Sequence, residues 1–355
     1  MKSKVLEIGP SRVRSKGGMA TVLQNIGQDK QLNERFEISF HASYVDGSLP
    51  VRLIYSIFAY LKFLIIHRKY HIMHIHTASY GSTFRKRWYE KTALKSGKKV
   101  IVHIHGAEYM VFYNNLKDKK KAQVVDFLQK ANCVIALSRK WMDLFEKNFS
   151  LANCVAINNG VNEEDFLPAR IDVADCTGSF VFFGRIGERK GAYDLIKAVK
   201  QLTNQGRKLH LVMAGDGEID KAKRMIAKLG LDSIIDLPGW VGYEDKIRYL
   251  SRAAVVILPA YHEGLPMTIL EGMAAGKGII STNVGAISEV VEDGVNGLII
   301  NPGDINALSN AMSRLMDDPQ LLCRMSSANC YKIKERYSIK IMHDQIAKCF
   351  IQVMN

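Results

Sequence analysis

The chain is poor in the features that would assign it quickly. Its six cysteines (Cys133, Cys154, Cys176, Cys323, Cys330 and Cys349) are scattered, with no C-x-x-C pair and no finger-like spacing. That excludes a disulfide scaffold and a zinc finger, and the thiols read as free in a reducing cytoplasm. No D-x-D occurs, so the commonest carboxylate motif for holding a metal against a diphosphate is missing. The longest apolar run, "LIYSIFAYLKFLII" (53–66), is broken by Lys62 and falls short of the ~20 residues that span a bilayer. The opening "MKSKVLEIGP" enters a strand pattern at once and leaves no room for a signal peptide. The sequence is therefore expected to work in the cytoplasm and to cross no membrane.

What is present is bulk and positive charge. A chain of 355 residues is long for one core, so two domains are expected. At 47% hydrophobic and 24% charged, its composition is that of a globular protein. The net charge of +14 is concentrated in the first half, in "FRKRW" (84–88), "GKK" (97–99) and "KDKKK" (117–121). Such a half can meet nucleic acid, anionic lipid or phosphorylated ligands, or can simply be a solvated surface. The clusters carry no aromatic-interleaved motif or recognition helix, which disfavours nucleic acid.

Short β-branched runs alternate with longer amphipathic segments, the pattern of an α/β fold with parallel strands. The first half offers strands at "KVLEIG", "FEISFHA", "YHIMHIH", "KKVIVHIH", "CVIALS" and "CVAINNG", with helices over 18–28, 51–67, 118–130 and 139–148. After a weakly patterned stretch, 167–179, taken as a linker, a second series runs from "SFVFFGR" to "GLIIN". Two doubly wound, Rossmann-like domains are expected, 1–170 and 171–337, followed by a C-terminal helix, 338–355, free to cross back to the first. Ligands of such folds lie at the carboxyl ends of the strands, so the two edges are expected to face a central cleft.

The densest chemistry lies in "AYHEGLPMTILEGMAAG" (260–276), directly after the strand "AAVVILP". Pro266 suits a first helical turn. That leaves Glu263 in the loop and Glu271 roughly 7–8 Å further along the axis. The amides of Gly264, Leu265, Met267 and Thr268 are expected at the positive end of that helix, where an anion is favoured. Ionised carboxylates accept hydrogen bonds from hydroxyls, so a phosphate between two polyol rings, a nucleotide sugar, would fit. The plainer alternative is a helix-capping Glu263 and a solvated Glu271.

Two further junctions bear on phosphate. In "FVFFGRIGERKGAYDLI" (180–196), Arg185 and Lys190 occupy a glycine-bearing loop where both could neutralise a diphosphate. In "GPSRVRSKGGMATVL" (9–23), Gly17 and Gly18 let backbone approach a ligand just before a helix. That stretch is not G-x-G-x-x-G, and no acidic residue follows about 20 positions later, which disfavours a dinucleotide enzyme. His74 and His76, and His103 and His105, form two H-x-H pairs on strands. A metal site from them is thinkable, but no nearby carboxylate in the sequence completes it. His105, with Gly106 at the strand tip, is the best placed as a single polar contact.

These stretches, taken together, resemble one family over nearly the whole chain. "HEGLPMTILEGMAAG" resembles the E-x7-E motif of retaining GT-B glycosyltransferases, specifically glycosyltransferase family 4. "FFGRIGERKG" is similar to its diphosphate loop, "KGGMATVL" to its glycine loop, "VHIHGAEY" to its histidine strand and "INNGVNEEDF" to its pre-linker turn. The resemblance implies that Glu263 contacts donor-sugar hydroxyls, Glu271 the ribose, Arg185 and Lys190 the diphosphate, and His105 the sugar near the reaction centre. Gly17 and Gly18 would line the cleft. It further implies a nucleotide-diphosphate sugar as co-substrate without a metal, and retention of configuration. The acceptor would be a glycan or a polyprenyl-linked glycan, at an anionic inner membrane face that segment 51–67 and Arg68-Lys69 could touch. That segment could equally be a buried helix. Lys277-Gly278 departs from the family, which often has proline after "AAG". A sugar-nucleotide epimerase or a non-catalytic scaffold of the same fold are the alternatives.

Overall fold

The computed structural model describes residues 2–15 and 17–355. The chain divides into two compact units, 1–160 with 339–355, and 161–338. The stretch 167–179 is not a bare linker. Two 3₁₀ turns, Glu163–Ala169 and Val173–Cys176, lie across it. Arg170 Nε donates to the Ala274 carbonyl at 2.9 Å, tying it into the second unit.

The first unit holds six parallel strands: β1 (Ser3–Pro10), β2 (Phe36–Tyr44), β3 (Ile72–Thr77), β4 (Lys99–Ile104), β5 (Cys133–Ala136) and β6 (Cys154–Ala156). Their order in the sheet is β2-β1-β3-β4-β5-β6. Helices on both faces bury the strands, which is why they read as near-continuous apolar runs. One face carries Leu6, Ile8, Ile75 and Val102, and Phe127 of the helix Asp118–Gln129 joins the same cluster, all essentially inaccessible. The C-terminal helix Ile339–Met354 belongs to this unit: Phe350 packs edge-on to Phe36 and to His74, and His343 bonds Asp29.

The second unit has β7 (Ser179–Phe183), β8 (His210–Ala214), β9 (Ile235–Gly239), β10 (Val255–Leu258), β11 (Gly278–Thr282) and β12 (Leu298–Ile300). Their order, β12-β11-β10-β7-β8-β9, is that of the doubly wound dinucleotide fold. The chain reverses direction across the sheet between β7 and β10, so loops leaving these two strands diverge and open a crevice at their carboxyl ends.

Helix Leu49–Ile66 is not the buried helix that the sequence also allowed. Only Ala59 and Phe63 are buried. Leu49, Val51, Leu53, Ile54, Ile57, Phe58, Leu61, Leu64 and Ile65 are each 40–78% exposed. With the 3₁₀ turn His67–Lys69 the segment reaches 21 residues and is long and apolar enough to cross a bilayer, contrary to the expectation that it falls short. The cluster "FRKRW" is also not wholly a solvated face. Lys86 is buried and donates to the Ile8 carbonyl at 2.9 Å and to Ser43 Oγ.

Candidate active site

The crevice of the second unit gathers most of the residues singled out in the sequence. Lys190 ends the turn Glu188–Lys190 after β7, and Glu263 lies in the loop after β10. Their side chains form an ion pair, 15% and 7% exposed respectively. The glutamate's loop is clamped on both sides. Tyr261 N–H donates to the Arg189 carbonyl at 2.9 Å, and Ala286 N–H donates to the Gly264 carbonyl at 2.8 Å. Gly285, at φ +57°, is required by the same clamp, because a Cβ there would stand 1.9 Å from the Glu263 carbonyl oxygen. Any larger residue must push the loop, and the carboxylate with it, out of place.

Glu271 is the fifth residue of the helix Met267–Ala274 and is likewise buried. Lys246 Nζ, from the helix Tyr243–Leu250, reaches it at 2.8 Å. Thr268 Oγ1 donates to the Phe183 carbonyl at 3.1 Å, pinning the helix mouth to the end of β7. Burying an unpaired carboxylate is costly, and here each has an ammonium partner. The reading of Glu263 as a cap and Glu271 as solvated is therefore overturned: no side chain caps this helix, and neither acid faces bulk water.

Three details of the sequence reading change. Pro266 is the N-cap residue (φ −72°, ψ 125°) rather than the first helical residue, so the helix begins at Met267. The first amide to find a helical carbonyl is Ile269, which donates to Pro266 at 3.1 Å. The leading amides are thus those of Met267 and Thr268, while Gly264 and Leu265 belong to the buried loop before the cap. Arg185 does not join Lys190. It pairs with Asp216 at 3.6 Å, with both side chains at least half exposed. Such a pair contributes little, so the arginine loses little on turning to an anion.

In the first unit, Gly17 caps the helix Gly18–Gln28 after β1, and both glycines are exposed. Nothing lies within 4 Å of a Cβ built on Gly17, so its φ of +107° rather than crowding favours glycine. His105 follows β4 and is half-buried. It is not a lone contact. His76 Nδ1 lies 2.9 Å from His105 Nε2, and His76 Nε2 lies 2.7 Å from a carboxylate oxygen of Glu7. The same carboxylate takes His74 Nδ1 at 2.9 Å, supplying the acid that the sequence reading did not find beside the histidines. Burial, with neighbouring histidines adding to it, holds His76 and His103 well below the ordinary imidazole range; burial and then His74 push His105 down to about 3. Among the described residues, His74, His76 and His103 form the one group with ring nitrogens close enough to share a metal, within 4.8 Å.

Lys246 and Glu7 were missed. Lys246 sits on an ordinary amphipathic helix and meets its partner 25 residues later, so nothing local marks it. Glu7 had a signal: a charge in the middle of a strand buried on both faces needs a partner.

Known proteins agree with this architecture. Residues 17–165 match the family described as Glycosyltransferase Family 4, and residues 170–331 match Glycosyl transferases group 1. The alpha-D-kanosaminyltransferase of Streptomyces kanamyceticus is 29% identical over 49% of this chain and 45% of its own length. The amylovoran biosynthesis glycosyltransferase AmsK of Erwinia amylovora is 25% identical over 71% of this chain and 63% of its own. The matched stretches thus span about half to under two thirds of these relatives. Among solved structures, sucrose-phosphate synthase from Thermosynechococcus elongatus superposes with a TM-score of 0.82 at 17% identity, covering 99% of both chains. HepE of Anabaena, solved in complex with UDP, gives 0.76 at 18% identity over 98% of this chain and all of its own. By these matches the chain carries a Glycosyltransferase Family 4 domain in its first unit and a Glycosyl transferases group 1 domain in its second, on a GT-B fold.

Proposed function

We propose that this chain transfers a glycosyl group, with retention of configuration, from a UDP- or GDP-linked sugar to a hydroxyl of a glycan or polyprenyl-linked glycan during cell-surface polysaccharide assembly. The observation that carries the reading is the pairing of two buried carboxylates with lysines at the switch point of the second sheet. A departing diphosphate gathers negative charge, and the anomeric carbon becomes positive. Preorganised charges that meet such changes are usually the largest catalytic term. Lys190 and the amides of Met267 and Thr268 answer the first, with Arg185 turning in from Asp216. In this reading Glu263 takes sugar hydroxyls and Glu271 the ribose. This reading asks for no metal, because the lysines supply the positive charge. That HepE of Anabaena was solved with UDP supports a uridine donor, and the amylovoran relative supports a polysaccharide product.

The test is a thermal-shift screen of UDP- and GDP-sugars. A true donor at 100 times its Kd adds about 2.7 kcal/mol to stability. For a unit of this size that raises the melting temperature by roughly 5–10 °C. No shift with any UDP- or GDP-sugar overturns the reading. Conversion of donor without an acceptor would make the chain an epimerase instead.

The exposed apolar face of helix Leu49–Ile66 favours an acceptor held at a membrane. Lys62, Arg68 and Lys69 are exposed on the same segment, and the exposed Trp88 ring stands 6.4 Å from Tyr60. Apolar side chains flanked by basic residues and an aromatic ring suit a helix lying in an anionic interface. Each basic residue near such a surface adds ~1 kcal/mol. The protein is therefore expected to co-sediment with vesicles containing phosphatidylglycerol at low salt, and Ile57→Asp with Phe58→Asp to abolish it. Equal recovery with neutral vesicles would refute an anionic contact.

A further inference from the structure

Between Val45 and Tyr89 the chain contains a single acid, Asp46, and it is exposed. Two arginines in that stretch hold equivalent places. Arg52 is the fourth residue of the helix Leu49–Ile66, and Arg85 the fifth of the helix Gly81–Lys95. Both helices leave the carboxyl edge of the first sheet, after β2 and β3, and run side by side in one direction. Tyr60 Oη lies 2.8 Å from Thr92 Oγ1, and His67 Nε2 lies 2.9 Å from Ser96 Oγ, offsets of 32 and 29 residues. The same offsets bring Arg52 level with residues 81–84, in the turn that carries Arg85. Lys86 fixes the start of the second helix through the Ile8 carbonyl and Ser43 Oγ. The Arg85 guanidinium lies over the ring of Tyr44, the last residue of β2, 5.0 Å from its centroid.

Among the described residues neither guanidinium has a counter-ion or a hydrogen bond, and the Nε of each is buried without a partner. Burial first, and the charge of Arg52 with it, lower Arg85 from the ordinary arginine range. Neither helix has an acid in its first turn or a side chain capping its start, so nothing local answers these charges. Like charges held together without an acid are unfavourable until an anion joins them. The exposed apolar side chains begin at the same turn, with Leu49, Val51 and Leu53, and continue to Ile65, roughly 24 Å along the axis.

We propose that Arg52 and Arg85 bind the diphosphate of a polyprenyl-diphosphate acceptor, whose hydrocarbon chain lies along the exposed face of the helix Leu49–Ile66. The inference rests on the reading of the acceptor as lipid-linked, and names the residues that separate it from other anionic lipids. A guanidinium fork takes phosphate oxygens in pairs, so two neighbouring forks match two joined phosphates. A phospholipid offers one phosphodiester, which leaves the second fork idle. Because the diphosphate joins glycan to lipid, holding it here keeps the first sugar at the carboxyl edge, where sheets of this kind bind ligands.

The measurement is co-sedimentation of the full chain at about 0.15 M salt, where contacts between exposed charges are screened. Phosphatidylcholine vesicles are doped with undecaprenyl diphosphate, with phosphatidylglycerol at equal surface charge, or with undecaprenol. The diphosphate vesicles should bind about tenfold more tightly than the others, the worth of one further charge-assisted hydrogen bond. Inorganic pyrophosphate should compete that excess away. Arg52→Gln with Arg85→Gln should erase it, yet leave low-salt binding to phosphatidylglycerol in place through Lys62, Arg68 and Lys69. Equal binding to the two anionic vesicles overturns the proposal and makes the pair a headgroup contact. Undecaprenol binding as well as its diphosphate also overturns it, since the tail alone would then suffice. A double variant that keeps the excess places the diphosphate elsewhere. If that variant fails to fold, competition in the parent decides, and an excess that pyrophosphate leaves intact refutes the site. None of these readings needs a donor or a transfer. A donor-induced rise in melting temperature without any diphosphate preference therefore sinks this inference alone.

Discussion

Lys190→Met is expected to lower kcat by about 10²–10³-fold, the loss seen when one preorganised charge aimed at a developing anion is removed. Lys190 and Glu263 form one buried ion pair, each the other's counter-ion. Removing the lysine strips the diphosphate of a cation and leaves a buried carboxylate unpaired, a doubly unfavourable change. Glu263→Gln acts in the opposite sense on binding. It frees Lys190 from its competitor, so the nucleoside diphosphate product should bind more tightly while turnover falls. Glu271→Ala should raise donor KM with a smaller change in kcat, because the ribose is bound alike in ground and transition states. Steady-state kinetics with product inhibition reads all three. If Glu271→Ala proves the worse for kcat and Glu263→Gln the worse for binding, the two acids have been given each other's roles.

The second large effect is on acid stability. His76, His103 and His105 are neutral in the folded first unit because burial depresses them, and His41 is pushed down to about 4 by burial and then Lys86. In the unfolded chain each titrates near 6.5. Their contribution is complete above that value and is lost as the pH falls through it, since the unfolded chain then takes up protons the native state refuses. Each histidine removes ~1.4 kcal/mol per pH unit once the pH is well below 6.5. Against a total stability of about 5–15 kcal/mol, several such groups are decisive. The melting temperature should therefore drop by more than about 10 °C between pH 7 and pH 5, given about 2–4 °C per kcal/mol for a unit of this size. His103→Phe should flatten that slope, because both ring nitrogens of His103 are buried without a partner and no hydrogen bond is lost. A melting temperature independent of pH over this range would show that the histidines titrate normally inside the fold.

Much of the molecule was legible in the chain. The twelve strands of the described residues read as short, largely apolar runs, because a parallel sheet covered on both faces buries most of its side chains. That holds even where β1, β3 and β4 turn Glu7 and the histidines to one face. The loop Glu263 and the helical Glu271 follow from a strand running into a proline-punctuated helix. Other elements left no such trace. Helix Gly81–Lys95 is named nowhere in the sequence reading, because its inward positions are Thr83, Lys86, Tyr89, Glu90 and Ala93, a correctly spaced stripe made largely of polar groups. The helix Leu49–Ile66 was recognised but not its exposure, since an apolar segment reads alike whether it faces a core or a bilayer.

The order of strands and helices, the two-domain design and the residue types at the strand ends were therefore determined by the sequence, through local periodicity and turn chemistry. Only the folded chain decided which charge meets which. Lys190 with Glu263, Lys246 with Glu271, Arg185 with Asp216 and Glu7 with His76 join residues separated by 25 to 73 positions. Ion pairs and hydrogen bonds depend on ångström-scale distances in space, and sequence spacing beyond one helical turn does not encode those distances.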